Sequence, residues 1–239
     1  MASETTGKPA HIGIVGCSAE GAALCYRTIC TEGPQTLGPH AHPEVTMHTP
    51  SLSDYVDCLE RGDLDGVAGL MLQSAEKLAG AGADFLICPD NTIHQAFARV
   101  LPRSPLPWLH IAEEVAKHAA ANGYTRLGLT GTRWLVDSDV YPDKLADAGI
   151  ECVRPPDDIL NGIDHRIMNE LVNGVFTNDT AAYFRDVIDG LKDRGCDAVI
   201  LGCTEIPLIV DTANAPLPTL DSTRILARAA LERAISQPR

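Results

Sequence analysis

Short, unbroken apolar runs alternate along this chain with longer stretches whose apolar residues recur at helical spacing. The clearest run is Ala198–Leu201, four apolar residues with no polar break, as expected of a strand buried on both faces of a parallel sheet. Residues 11–16, 45–48, 85–88, 106–111, 127–130 and 150–153 read as further strands. Helices are predicted over 20–30, 66–80, 113–121, 140–148, 164–175 and 180–194, with a closing helix capped by Asp221 or Ser222 and running to 235. Leu70, Met71, Ala75, Leu78 and Ala79 form one apolar stripe, and Phe184, Val187, Ile188 and Leu191 form another. Residues 31–43, rich in Gly, Pro and His, read as loop, and 50–54 as the mouth after the second strand. Such regular alternation predicts an α/β protein built on parallel sheets.

A weak internal repeat divides the pattern in two. Residues 82–92 align without gaps on 195–205, matching Gly82 with Gly195, Asp84 with Asp197 and Ile87 with Ile200, and placing Asp90 opposite Cys203. Gly13-Ile-Val-Gly16 resembles Gly128-Leu-Thr-Gly131 at nearly the same offset. The expected architecture is two pseudo-symmetric α/β domains, each a parallel sheet flanked by helices, with the active site in the cleft between them. The first domain takes residues 11–111 plus 213–239, because the closing helix is expected to return to it. The second takes 112–212, and residues 1–10 form a flexible extension.

Charge and cysteine content narrow the function classes. The formal charge of −13, with no basic run, argues against a nucleic-acid partner. No apolar run approaches the ~20 residues of a membrane span. The polar first ten residues lack the apolar core of a secretory signal, so a cytoplasmic protein is expected. The eight cysteines include no C-x-x-C pair, which favours reduced thiols over a disulfide framework, a zinc site or a redox pair. Cys25, Cys58, Cys152 and Cys196 read as small buried hydrophobes.

Cys203 stands apart because it follows the apolar run at the carboxyl end of a strand, where open α/β sheets bind ligands. Facing a helix N-terminus, its thiol would ionise more readily than a free one. Gly202, Thr204 and Glu205 fit an anion-binding turn around it. Asp90-Asn91-Thr92 is the matching turn; an Asp there caps a helix or closes an Asx turn as readily as it does chemistry. Gly13-x-x-Gly16 is too short for a dinucleotide fingerprint and suits close approach of a carboxylate to the backbone. His40 and His42 could hold a metal or simply be solvated, and His94 could orient a neighbour or lie on a helix surface.

These motifs resemble the cofactor-independent aspartate/glutamate racemase family. Pro89-Asp90-Asn91-Thr92-x-His94 is similar to its first motif, where Cys normally stands in place of Asp90. Leu201-Gly202-Cys203-Thr204-Glu205 is similar to the second, and Gly13–Gly16, His42-Pro43-Glu44-Val45 and Gly131-Thr132 match other landmarks. The resemblance implies no pyridoxal phosphate, no metal and a homodimer. It also implies a pair of side chains flanking the substrate α-carbon, one removing the proton while the other delivers one to the opposite face, here Asp90 and Cys203. Cys17, Ser18, Asn91, Thr92 and Thr204 would hold the α-carboxylate, with Thr132 and Glu205 beside them.

With reference pKa values of ~3.9 and ~8.5, the resting pair is an Asp90 base and a Cys203 acid. The reverse direction needs Asp90 protonated. Aspartate-specific members carry a cation where Tyr55 stands and a Lys where Val172 falls, so the expected substrate is an amino acid other than, or broader than, aspartate. Two alternatives share the scaffold: decarboxylation of substituted malonates or maleate-type isomerisation, and a non-catalytic protein binding a small carboxylate.

Overall fold

In the computed structural model, which describes residues 7–239, the chain divides into two units: 7–111 with 223–239, and 112–222. The first unit opens with β1 (Ile12–Val15), α1 (Ala19–Glu32), the short α2 (Pro34–Leu37) and β2 (Val45–His48). It continues with α3 (Leu52–Glu60), α4 (Leu64–Gly80), β3 (Phe85–Ile87), a 3-10 turn at Thr92–Ala96, α5 (Phe97–Val100) and β4 (Trp108–Leu109). The second unit holds α6 (Ile111–Ala121), whose first residue belongs to the first unit, then β5 (Arg126–Thr130), α7 (Arg133–Val136), α8 (Val140–Asp147) and β6 (Glu151–Val153). It ends with α9 (Asp157–Asn169), α10 (Asn178–Asp193), β7 (Ala198–Leu201) and β8 (Thr219–Asp221), after which α11 (Ser222–Ser236) returns to the first sheet.

Each unit is a four-stranded, all-parallel sheet, and the orders correspond: β2-β1-β3-β4 and β6-β5-β7-β8. β1 and β7 are buried at every position, because helices cover both faces of a parallel sheet. On one face of the first sheet Ile12, Ile14, Phe85 and Ile87 pack with Cys25 and Ile29 of α1 and with Leu226, Ala227 and Ala230 of α11. Val15 and Leu86 join the opposite core with Tyr55, Met71, Ala75 and Leu78 from α3 and α4. In the second unit the stripe of Phe184, Val187, Ile188 and Leu191 on α10 packs with Val199 and Leu201 of β7.

The repeated glycines and aspartates are architectural. Gly82 and Gly195 adopt positive φ, +88° and +84°, at the end of the helix preceding β3 and β7. Asp84 then accepts the His11 N–H at 2.6 Å, while Asp197 accepts the N–H groups of Thr125 and Arg126 at 2.7 and 3.2 Å. Each carboxylate thus ties the start of the unit's first strand to the start of its third.

Several sequence expectations shift. The stretch read as a mouth at 50–54 leads into α3, a nine-residue helix that buries Tyr55 and Cys58. The 164–175 helix instead starts at Asp157, behind Pro156, and stops at Asn169. The strand read over 106–111 shrinks to Trp108–Leu109, since Ile111 already begins α6. Residues 213–222 belong to the second unit, not the first, because β8 pairs in parallel with β7. Of the expected flexible extension, residues 1–6 lie outside the described residues. Residues 7–10 are fastened: Ala10 N–H donates to the Ala234 carbonyl and Arg239 N–H to that of Lys8, both at 2.9 Å, and Lys8 pairs with Glu44. Cys25, Cys58 and Cys196 are buried as read, whereas Cys152 is only partly so.

Candidate active site

In both sheets the first and third strands are neighbours, and the chain leaves their carboxyl ends in opposite directions. That reversal is the switch point at which α/β sheets bind ligands. Cys17 and Ser18 follow β1, and Asp90, Asn91 and Thr92 follow β3; Thr132 follows β5, and Cys203, Thr204 and Glu205 follow β7. Apart from Tyr55 on α3, every candidate proton-transfer or carboxylate-binding residue therefore sits at one of two switch points, four or more in each unit.

In the first unit Ser18 accepts the Gly21 N–H at 3.2 Å and caps α1. Asp90 is half-buried, and its Oδ1 accepts the Ile93 N–H at 3.2 Å in an Asx closure. Asn91 is buried beside it. Cys88, two residues earlier, is no substitute for a thiol at 90. It is fully buried, with Sγ against the Asp90 carbonyl at 4.0 Å, and burial together with the Asp90 charge pushes it well above the ordinary thiol range.

Tyr55 is fully buried and close enough to Cys88, Cys17 and Asp90 to feel their charge. Burial first, then those neighbours, drives its phenol far up, so it remains a protonated donor. Among the described residues its hydroxyl makes no well-formed hydrogen bond, and the Ser74 hydroxyl beside it only partly offsets the rise. The adjacent Ser74 hydroxyl is already engaged, donating to the Leu70 carbonyl at 3.2 Å and accepting from His48 Nδ1 at 2.9 Å. Lys77 Nζ donates to His48 Nε2 at 2.9 Å, which places the imidazole proton on Nδ1. Nothing in the sequence pattern flagged Ser74, His48 or Lys77, because β2 and α4 meet only through folding.

In the second unit the Cys203 thiol donates to Glu205 Oε2 at 2.8 Å, and the Thr204 hydroxyl donates to the same oxygen at 2.9 Å. All three residues are buried. One carboxylate oxygen thus accepts from both the thiol and the hydroxyl. The expected helix N-terminus is absent: only the three-residue turn Ile206–Leu208 follows. Glu205 thus occupies the position in which the helix was expected to act on Cys203. Thr132 caps α7 by accepting the Leu135 N–H at 3.3 Å, and Thr130 donates to the Ile200 carbonyl at 2.8 Å, bracing β5 against β7.

The glycines expected to admit a carboxylate have packing reasons instead. A Cβ on Gly13 would lie 2.5 Å from Leu86, and one on Gly16 2.2 Å from Thr49. At Gly202 the clash is with backbone: a Cβ would fall 2.4 Å from the Thr130 carbonyl oxygen, so any side chain there forces β5 and β7 apart. Of the histidines, His42 Nδ1 turns to the carbonyl of Pro43 at 2.8 Å. His94 is buried and bonded on both ring nitrogens.

Fold and site together define a parallel α/β protein of two like units with small polar and thiol side chains at both switch points. The chain matches the Asp/Glu/hydantoin racemase family over residues 12–230, and it belongs to that family. It is 25% identical over 172 residues to the broad specificity amino-acid racemase RacX of Bacillus subtilis (strain 168), covering 70% of this chain and 71% of that protein. Among solved structures, a Yersinia pestis protein assigned to the Asp/Glu racemases superposes with a TM-score of 0.86 at 29% identity, covering 95% of this chain and 99% of that one. An aspartate racemase homologue from Pyrococcus horikoshii OT3 superposes at 0.80 with 26% identity, over 94% and 98% of the two chains.

Proposed function

We propose that this protein is a cofactor-independent amino-acid racemase or epimerase that inverts the α-carbon by 1,1-proton transfer between Asp90 and Cys203. The observation that carries the reading is positional: the two side chains occupy equivalent places after equivalent strands, β3 and β7, in units of the same strand order. Family membership adds to it. The reading requires the two switch-point edges to share one substrate, with the α-carbon between the two groups.

In the proposed resting pair the sulfur holds its proton, which it donates toward Glu205, and Asp90 is the carboxylate, its Oδ1 accepting the Ile93 N–H. The Asp90 carboxylate removes the α-proton of one enantiomer, and the Cys203 S–H delivers its proton to the opposite face. The product is the mirror form, with Asp90 protonated and Cys203 a thiolate. In the other direction the thiolate abstracts and the Asp90 carboxylic acid delivers. The resting pair is restored when Asp90 gives its proton to solvent and solvent returns one to the sulfur, with Glu205 as the carboxylate through which that proton passes. Cys17, Ser18, Asn91, Thr92, Thr132 and Thr204 hold the α-carboxylate.

Tyr55 and Val172 argue for a substrate beyond aspartate, since neither supplies a cation for a side-chain carboxylate. Val172 packs on the apolar cluster that includes Cys203. The similarity to a broad specificity racemase supports the same conclusion. The assembly proposed is a homodimer.

The test is proton NMR in D₂O with single-enantiomer amino acids and chiral analysis. Loss of the α-proton signal with appearance of the mirror form is expected. Cys203→Ala should lower inversion by about 10²–10⁴-fold; inversion at the wild-type rate would remove Cys203 from the mechanism. One observation favours a second reading: only one of the two equivalent positions carries a thiol, and protonating an enediolate after decarboxylation needs one acid. CO₂ release from a substituted malonate, with no inversion across the amino-acid panel, would select it.

A further inference from the structure

We propose that His94 is the positioning residue that sets where the Asp90 carboxylate lies, by fastening the Asp90 turn to Ile111, where the chain leaves the first unit. The proposal rests on the reading of Asp90 as a proton-transfer group.

The bonding pattern assigns the ring's state. His94 Nδ1 lies 2.6 Å from the Asp90 carbonyl oxygen, which can only accept, so Nδ1 carries the proton. Nε2 lies 3.4 Å from the backbone N–H of Ile111, which can only donate, so Nε2 is bare. His94 is therefore a neutral imidazole with a single tautomer. Ile111 is the first residue of α6, and its N–H is one of those a helix leaves without an internal acceptor.

Asp90 is thus held at its carbonyl by His94 and at Oδ1 by the Ile93 N–H. The ring that holds it is itself clamped. It stacks on Phe97 with centroids 5.0 Å apart and meets His110 edge-on at 4.6 Å. Phe97 in turn packs edge-on against Trp108 at 5.6 Å and His110 at 4.7 Å. A buried, aromatic-clamped histidine with two committed nitrogens is costly to keep for packing alone, because an apolar ring would fill the space without needing partners. Its geometry makes the course of the connecting chain and the orientation of Asp90 a single structural variable.

The experiment compares wild type, His94→Phe, His94→Asn and Asp90→Asn by α-proton exchange in D₂O, inversion and backbone amide exchange. Phe keeps the stacked ring and loses both bonds; Asn keeps an N–H donor within reach of the Asp90 carbonyl. In His94→Phe, inversion is expected to fall about 10²-fold in kcat with KM near wild type, the effect of a displacement near 1 Å. For the enantiomer whose proton faces Cys203, exchange without inversion should persist, because the thiolate can still remove and return a proton. A merely structural role would lower exchange and inversion in parallel. His94→Asn should recover part of the inversion.

Wild-type inversion in His94→Phe, or a parallel loss of exchange and inversion, overturns the proposal. Asp90→Asn separates the two ideas: if it is inactive while His94→Phe is normal, only the His94 inference falls, and if it inverts normally, the Asp90 reading falls and His94 with it. Should wild type act on no amino acid tested, the amides decide: His94→Phe must lose protection at Ile93 and Ile111, and unchanged protection overturns the proposal.

Discussion

Tyr55 shows how one atom can set a balance between stability and binding. Its buried hydroxyl makes no well-formed hydrogen bond among the described residues, and its desolvation, up to about 1–3 kcal/mol, is offset only in part by the neighbouring Ser74. Tyr55→Phe should therefore leave the unfolding free energy unchanged or raise it by up to about 1 kcal/mol in urea titration. If the hydroxyl serves substrate, KM for polar amino acids rises in the same variant. A stability loss beyond about 1 kcal/mol would mean the hydroxyl is bonded in the folded state. Glu205 is the other residue whose role emerges at this scale. From the sequence it was one polar member of a turn; in the structure its Oε2 accepts from the Cys203 thiol at 2.8 Å. Glu205→Gln is expected to cut inversion about 10–10²-fold while KM holds, measured in the same NMR assay.

At the scale of elements, the internal repeat separates into two kinds of correspondence. Gly82/Gly195 and Asp84/Asp197 build the amino ends of β3 and β7, whereas Asp90 and Cys203 stand at the carboxyl ends. Asp197→Ala frees the N–H groups of Thr125 and Arg126 and should cost about 1–3 kcal/mol in urea unfolding, with the ratio of exchange to inversion unchanged. The bond chain from Lys77 through His48 to Ser74 joins β2 to α4 and carries a pH signature. Burial, then the Lys77 charge, lowers the His48 pKa below its usual value near 6.5. The unfolded imidazole then takes a proton that the folded one refuses. The stability His48 contributes is present above pH ~6.5 and is lost as pH falls through its folded value. Urea titrations at pH 8 and pH 5 should show this decline, and His48→Gln should flatten it. The elements legible in advance were those with an unbroken apolar run or a full stripe, such as β7 and α10. α3 was not, since Tyr55, Cys58 and Leu59 make too short a stripe among polar neighbours.

For the whole molecule, two sheets of the same order each carry their own apolar core, and the chain passes between the units twice, after Ile111 and after Ser222. The acidic balance, −13 with a pI near 4.9, acts at this scale on solubility rather than on fold. Light scattering should show self-association rising as pH approaches 4.9 and reversing above it, and sedimentation at neutral pH tests the proposed homodimer as twice the mass of one chain.

The sequence by itself determined the alternation of strands and helices and the carboxyl-end places of Asp90 and Cys203. Both follow from local rules: a run of apolar residues buried on two faces makes a strand, and the polar break that ends it makes the turn. Only tertiary structure decided which turns share a sheet, and so which lie at a switch point. It also decided that Asp84 and Asp197 brace strand starts some 70 residues away, that the Tyr55 hydroxyl is buried beside Cys17, Cys88 and Asp90, and that His94 joins Asp90 to Ile111. These depend on distances between groups remote along the chain, and apolar spacing carries no record of which polar atoms will meet once the cores close.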